Sequence, residues 1–125
     1  MVDCLLDTNI IVDLLRGHKP AQEWIATQQQ PGISRAVWLE VLQGAQDGKA
    51  QRLIIKLLNE FDLVEFALSD FEGATKQLIR HNLSNSVHAF DCLIAAPCQR
   101  LQLPLYTQNL KHFVPLLGGL AQKAY

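Results

Sequence analysis

Three acidic side chains stand where the sequence offers them little water. Asp91 lies in His-Ala-Phe-Asp-Cys-Leu-Ile-Ala-Ala, Glu40 in Ala-Val-Trp-Leu-Glu-Val-Leu, and Asp7 closes a nearly continuous apolar run in Leu-Leu-Asp-Thr-Asn. An ionised carboxylate in such surroundings costs several kcal/mol unless it is paired, hydrogen-bonded or bound to a metal. Each also has a plainer reading. Asp7 is suited to cap a helix beginning near Asn9, Asp91 to bond backbone amides, and Glu40 to sit solvated on an amphipathic helix, with small Ala36 and Gly44 one turn away. Brought together, the three would repel one another unless something positive lay between them. An all-oxygen set of this kind suits Mg²⁺ or Mn²⁺, and the absence of paired His and Cys ligands speaks against zinc. Such a centre does phosphoryl chemistry, by polarising a phosphate and lowering the pKa of a water.

The elements that must position these groups follow from periodicity. Val2 to Leu6 reads as a buried strand, Asn9 to Arg16 as a helix, and Pro20 to Gln29 as a second helix after a break at Gly17. A very short strand at Ile33 and Ser34 leads into a helix from Arg35 to Ala45, and another helix spans Gly48 to Phe61. Leu63 to Phe66 alternates as a strand. Ser69 with Glu72 resembles a capping box for a helix running to His81, and Val87 to Gln102 is again helical. Pro104 to Thr107 reads as a strand, Leu110 to Phe113 as a helical turn, and Val114 to Leu117 as a last strand. Pro97 predicts a kink or an early helix end near Ala96. Strands alternating with helices predict a three-layer α/β/α sandwich with a short, mostly parallel central sheet. Ligands of such sheets sit beyond the carboxyl ends of the strands, so Asp7, Ser34 and Thr107, each ending a strand, are expected on one edge.

Composition bounds the rest. A chain of 125 residues, 49% of them hydrophobic, suits a single domain over 1–125. The formal charge of −1 supplies no global attraction for nucleic acid, so RNA binding would need a local basic patch, for which Arg16, Lys19, Arg35 and Lys111 are candidates, or a partner's charge. Cys4, Cys92 and Cys98 sit among apolar residues without metal-ligand spacing and read as buried thiols of a reducing compartment. No run approaches a membrane span, and Met-Val-Asp lacks the features of a signal peptide, so a cytoplasmic location is expected.

The motifs resemble those of the PIN domain family. Leu-Leu-Asp7-Thr8-Asn9-Ile-Ile-Val-Asp13 is similar to its opening motif, Ser34-Arg-Ala-Val-Trp-Leu-Glu40-Val-Leu-Gln-Gly44 to its second, Asp91-Cys-Leu-Ile-Ala-Ala to its third and Thr107-Gln-Asn109-Leu-Lys-His-Phe113 to its last. They occur in family order across nearly the whole chain. The resemblance implies a metal-dependent ribonuclease toxin of the kind silenced by an antitoxin protein and commonly dimeric. It further implies that Asp7, Glu40 and Asp91 hold the Mg²⁺ or Mn²⁺, with Thr107, Asn109, Ser34 and Thr8 shaping the site. The chain departs from the family in the last motif. A fourth carboxylate belongs where Asn109 or His112 stands, and neither is acidic.

Other polar and aromatic residues are read more plainly. His88 is taken as a packing or surface residue, His112 as solvent-facing, Asp13 as part of a helix surface, and Trp24 and Trp38 as core or dimer-contact residues. A PIN domain that binds RNA or protein without cutting is the alternative. A nucleotide-binding domain is disfavoured because no Gly-x-Gly-x-x-Gly or P-loop is present, and Asp7-Thr-Asn lacks the second Asp of an aspartyl-phosphate phosphatase.

Overall fold

The apolar run before Asp7 becomes β1 (Cys4–Leu6), whose three side chains are all buried. The structure is a computed structural model describing residues 1–125. β1 occupies the middle of a five-stranded sheet with β2 (Pro31–Ser34), β3 (Asp62–Val64), β4 (Leu105–Thr107) and β5 (Ala121–Lys123), in the order β3-β2-β1-β4-β5, every pair parallel. A central parallel strand is covered on both faces, which is why its residues are continuously apolar rather than alternating.

The helices are α1 (Thr8–Leu15), α2 (Lys19–Ile25), α3 (Arg35–Gln43), α4 (Gly48–Leu58), α5 (Leu68–Asn85), α6 (Ala89–Leu101) and α7 (Leu110–Leu117). α1 packs on α2, α3 and α4, whereas α5, α6 and α7 pack on one another, giving the expected α/β/α sandwich. The break after α1 is built at Gly17, whose φ of +70° only glycine adopts freely. There the amides of Gly17 and His18 donate to the carbonyls of Leu14 (3.1 Å) and Asp13 (2.9 Å), closing the helix end.

Three local expectations are corrected. Of the kink or early end expected near Ala96, the early end does not occur: α6 runs through buried Pro97 to Leu101. Pro97 lacks the N–H that would bond the Leu93 carbonyl, yet Cys92, Ile94, Ala95 and Cys98 are all buried in the core, and their packing outweighs that loss. Val114 to Leu117 is the end of α7 rather than a strand, because Phe113, Leu116 and Leu117 repeat at helical spacing and are buried; the last strand is β5. α5 opens on Asp70, whose Oδ2 accepts from the Ala67 amide at 2.8 Å, not on Ser69 and Glu72, and it extends to Asn85.

The cysteines are free and buried, as expected. Burial pushes the thiols of Cys4 and Cys98 up to about 12. Thiolate is the reactive form. A disulfide reagent at pH 8 will therefore label none of the three in the native protein over minutes and all three in urea, as read by absorbance of the released thiol; fast native labelling would contradict this packing.

Candidate functional site

β1 and β4 are neighbours that lead to opposite sides of the sheet, one toward β2 and β3, the other toward β5. The carboxyl ends of such a pair form the crevice in which open parallel sheets hold their ligands. Asp7 follows β1 at this point and Thr107 ends β4, and the Thr107 hydroxyl donates to Asp7 Oδ2 at 2.7 Å. The other carboxylate oxygen, Oδ1, accepts from the Thr8 amide at 2.7 Å, so Asp7 caps α1 and is part of the site geometry at once. Thr107 Oγ1 in turn accepts from the Asn109 amide at 2.9 Å. With both oxygens held, the Asp7 side chain has one orientation.

Glu40 projects from α3 and accepts a short hydrogen bond from the hydroxyl of Thr8, tying the second carboxylate to the residue after the first. Ser34 is buried at the end of β2 on the same sheet edge, but the structure gives it a different task from contacting Asp7. Its Oγ accepts from the Val37 amide at 3.4 Å, capping α3 and so orienting the helix that carries Glu40.

Asp91 lies in the first turn of α6, not deep inside a buried helix, and its side chain is 17% exposed. Its Oδ2 accepts from the His88 amide at 3.0 Å, the capping contact open to it from sequence. α3 and α6 are in contact, so their acids approach the same crevice as Asp7. Burial pushes the Asp7 carboxyl up to about 6; the charges of Glu40 and Asp91 add to the rise, while the hydrogen bonds from Thr107 and Thr8 oppose it.

The last-motif residues complete the rim. Asn109 precedes α7, and its Nδ2 lies 2.9 Å from Nδ1 of His112. The same Nδ1 is 3.6 Å from Asp91 Oδ2. His112 is thus a half-buried member of the site and not the solvent-facing residue its sequence position suggests. The signal was its place three residues after Asn109 on a helix, where the two share a face. His88 approaches the His112 ring at 6.2 Å between centroids.

The remaining candidates lie elsewhere. Asp13 accepts from the Tyr125 hydroxyl, and Trp24 stacks against Tyr106 at 4.9 Å, with Trp38 also packed on the core. Arg35 is engaged by Glu65 and exposed Lys19 lies near Glu23, while Arg16 and Lys111 make no ion pair.

The donor chemistry of the crevice fits a hard divalent cation. No lysine or arginine pairs with Asp7, Glu40 or Asp91, although the charges of Glu40 and Asp91 add to the rise in the Asp7 pKa that burial causes. As the side chains stand, no three of His, Cys, Asp or Glu are grouped closely enough to hold a metal ion together. An open set suits an ion such as Mg²⁺, which keeps several waters and engages one or two carboxylates.

The chain matches the PIN domain over residues 4–113. No curated protein matches it in sequence. Among solved structures it is similar to a toxin–antitoxin complex from Klebsiella pneumoniae, at 24% identity over 98% of each chain with a TM-score of 0.76. It is also similar to DNA-bound VapBC from Salmonella typhimurium, at 18% identity over 90% of this chain and 91% of that one, TM-score 0.74. FitAcB from Neisseria gonorrhoeae matches at 20% identity over 90% and 91%, TM-score 0.70. At these identities the likeness is one of fold. The match over most of the length, carried by a parallel sheet of the expected kind, means that the chain belongs to the PIN domain family.

Proposed function

We propose that residues 1–125 act as one PIN-like domain, a metal-dependent endoribonuclease serving as the toxin of a cytoplasmic toxin–antitoxin pair. The observation that carries this reading is the convergence of Asp7, Glu40 and Asp91 on the sheet crevice with no lysine or arginine to neutralise them. The similar solved structures are toxin–antitoxin complexes, which supports an antitoxin partner. Homodimerisation is part of the same proposal, by family resemblance.

Asp7, Glu40 and Asp91 would hold a Mg²⁺ or Mn²⁺ ion, which would supply Lewis-acid polarisation of an RNA phosphodiester and a water of lowered pKa. The chain's own residues supply orientation. Thr107 fixes Asp7, Thr8 fixes Glu40, Ser34 caps α3, and the Asn109 backbone amide holds Thr107 from behind. Asp7, Ser34, Asp91 and Asn109 all stand at or within the first turn of a helix, so the positive ends of α1, α3, α6 and α7 face the crevice and favour an anionic backbone there. Thr107→Val removes the hydroxyl that holds Asp7 and is expected to weaken Mn²⁺ binding by about 10- to 100-fold, read by calorimetry, with the fold retained by circular dichroism.

The deciding experiment titrates purified, antitoxin-free protein with Mn²⁺ and Mg²⁺ beside Asp91→Asn, then assays RNA cleavage at the same concentrations. Binding lost in Asp91→Asn together with metal-dependent cleavage supports the nuclease. Cleavage retained by an Asp7→Ala, Asp91→Ala double variant would refute it. A second reading, a PIN domain that binds RNA or protein without efficient cutting, is favoured by the missing acids at 109 and 112. Absence of binding at millimolar metal selects it.

A further inference from the structure

The outermost strand delivers an aromatic residue to the edge of the sheet where the crevice lies. β5 runs parallel to β4 with Lys123 opposite Thr107, so the chain leaves both strands at the same edge. Two residues on, Tyr125 is held at two points. Its hydroxyl donates to Asp13 on α1, and its carbonyl accepts from Gln108 Nε2 at 3.0 Å. Its ring packs against His18 and Trp24, at 5.8 and 6.2 Å between centroids. Burial, and then the bond to Asp13, raises the phenol above its usual pKa, so it remains a donor.

Gln108 stands between the residues that orient Asp7. Thr107 before it donates to the Asp7 carboxylate, and the Asn109 amide after it donates to Thr107. The amide of Gln108 itself donates to Asn9 Oδ1 at 3.2 Å. Asn9 and Asp13 are four residues apart on α1 and so share one face. That face holds residues 107–109 twice, through Asn9 directly and through Asp13 by way of Tyr125. A movement of α1 away from the end of β4 would break the Thr107–Asp7 bond, and Tyr125 resists it by spanning the two.

We propose that Tyr125 is a positioning residue of the crevice: by tying Asp13 on α1 to Gln108 after β4, it holds the helix that Asp7 caps against the strand end whose hydroxyl orients Asp7. It acts through Gln108 and α1, not by contact with Asp7, Glu40 or Asp91. Asp13, the acid of the opening motif that the crevice does not use, is its anchor. The consequence for metal binding rests on the metal-dependent reading above.

The test compares Tyr125→Phe, which loses the hydroxyl but keeps the ring and the carbonyl, with Gln108→Ala and Asp13→Asn. Amide hydrogen exchange is read by NMR without metal, and Mn²⁺ affinity by calorimetry. In Tyr125→Phe and Gln108→Ala the amides of Gln108 and Asn109 should exchange about tenfold faster, while that of Leu5, which bonds the Pro104 carbonyl inside the sheet, is unchanged. Mn²⁺ should bind about tenfold more weakly to both, and near the wild-type affinity to Asp13→Asn, whose amide oxygen still accepts from the phenol. Faster exchange at Leu5 as well would mean that Tyr125 supports the fold as a whole, and unchanged exchange at Gln108 and Asn109 that it holds nothing there; either overturns the assignment. Local loosening with Mn²⁺ affinity unchanged in Tyr125→Phe overturns it too. Each of these outcomes leaves the carboxylate metal site standing, whereas a wild-type protein that binds no Mn²⁺ overturns the metal-dependent reading and the assignment with it.

Discussion

Asp7→Asn is expected to be more thermostable than the wild-type protein and to be inactive. The Asp7 carboxyl is raised from 3.8 to about 6, first by burial. In the unfolded chain it releases its proton near pH 4, so between about pH 4 and pH 6 the native state binds more protons than the unfolded one. Stability then falls as pH rises through that window and stays reduced above it. Two pKa units correspond to about 3 kcal/mol, an upper bound for what a neutral side chain of the same shape recovers. That is up to about 10 °C in Tm for a chain of this length. Asparagine keeps an oxygen for the Thr8 amide and removes the charge that faces Glu40 and Asp91. Melting curves in EDTA should therefore show the largest gap between variant and wild type at pH 7–8, closing toward pH 4. Added Mn²⁺ should raise the wild type alone, by ligand linkage. A variant less stable than wild type at pH 7.5 without metal would mean that the Asp7 charge is not the source of strain described here. Cleavage should fall at least about a hundredfold in the same variant, since both metal retention and its orientation are lost.

The second large effect lies far from the crevice. Arg100 on α6 grips Asp70 with two hydrogen bonds, Nε to Oδ1 at 2.9 Å and Nη2 to Oδ2 at 3.0 Å, and adds a third to the Glu65 carbonyl at 3.3 Å. The Asp70 side chain is 1% exposed and that of Arg100 31%. Arg100→Met leaves the Asp70 carboxylate buried with only the Ala67 amide as partner. Stranding a buried charge in this way costs about 3–5 kcal/mol, and the lower end applies because water reaches one side of the guanidinium. Urea unfolding should give about 3 kcal/mol for Arg100→Met and distinctly less for an Asp70→Asn, Arg100→Met double variant, in which no charge remains to strand. Equal losses in the two would show that the arginine acts by packing alone.

These two sites differ in how far they could be read from sequence. Asp7 and Thr107 were legible because each ends an apolar strand, and parallel strands place their ends on one edge whatever the loops between them do. Glu40 was legible as an acid within an apolar helix. The Thr8–Glu40 bond was not, because it depends on the angle at which α3 leaves Ser34. Asp70 and Arg100 carried no signal in the sequence; they lie 30 residues apart on different helices, and only the packing of α5 against α6 brings them together. Val114 to Leu117 misled because β-branched valine next to proline suits a strand locally, whereas the burial of Phe113 and Leu116 decides the matter through tertiary contact. His112 misled for the complementary reason. A polar residue three after a helix start is normally solvated, and here that turn faces a crevice.

The hydrogen bond between Thr107 and Asp7 joins residues 100 apart, and β1 borrows one of its two neighbours from β4. During synthesis, then, Asp7 and Glu40 exist on the growing chain long before the strand that aligns the first of them. At about 5–20 residues per second, roughly 5–20 s separate the emergence of Asp7 from that of Thr107. A chain that ends between residues 91 and 107 carries all three carboxylates but lacks the hydroxyl that orients Asp7. The topology thus works as a timer, which delays the fixing of Asp7 until a strand made 100 residues later has joined the sheet.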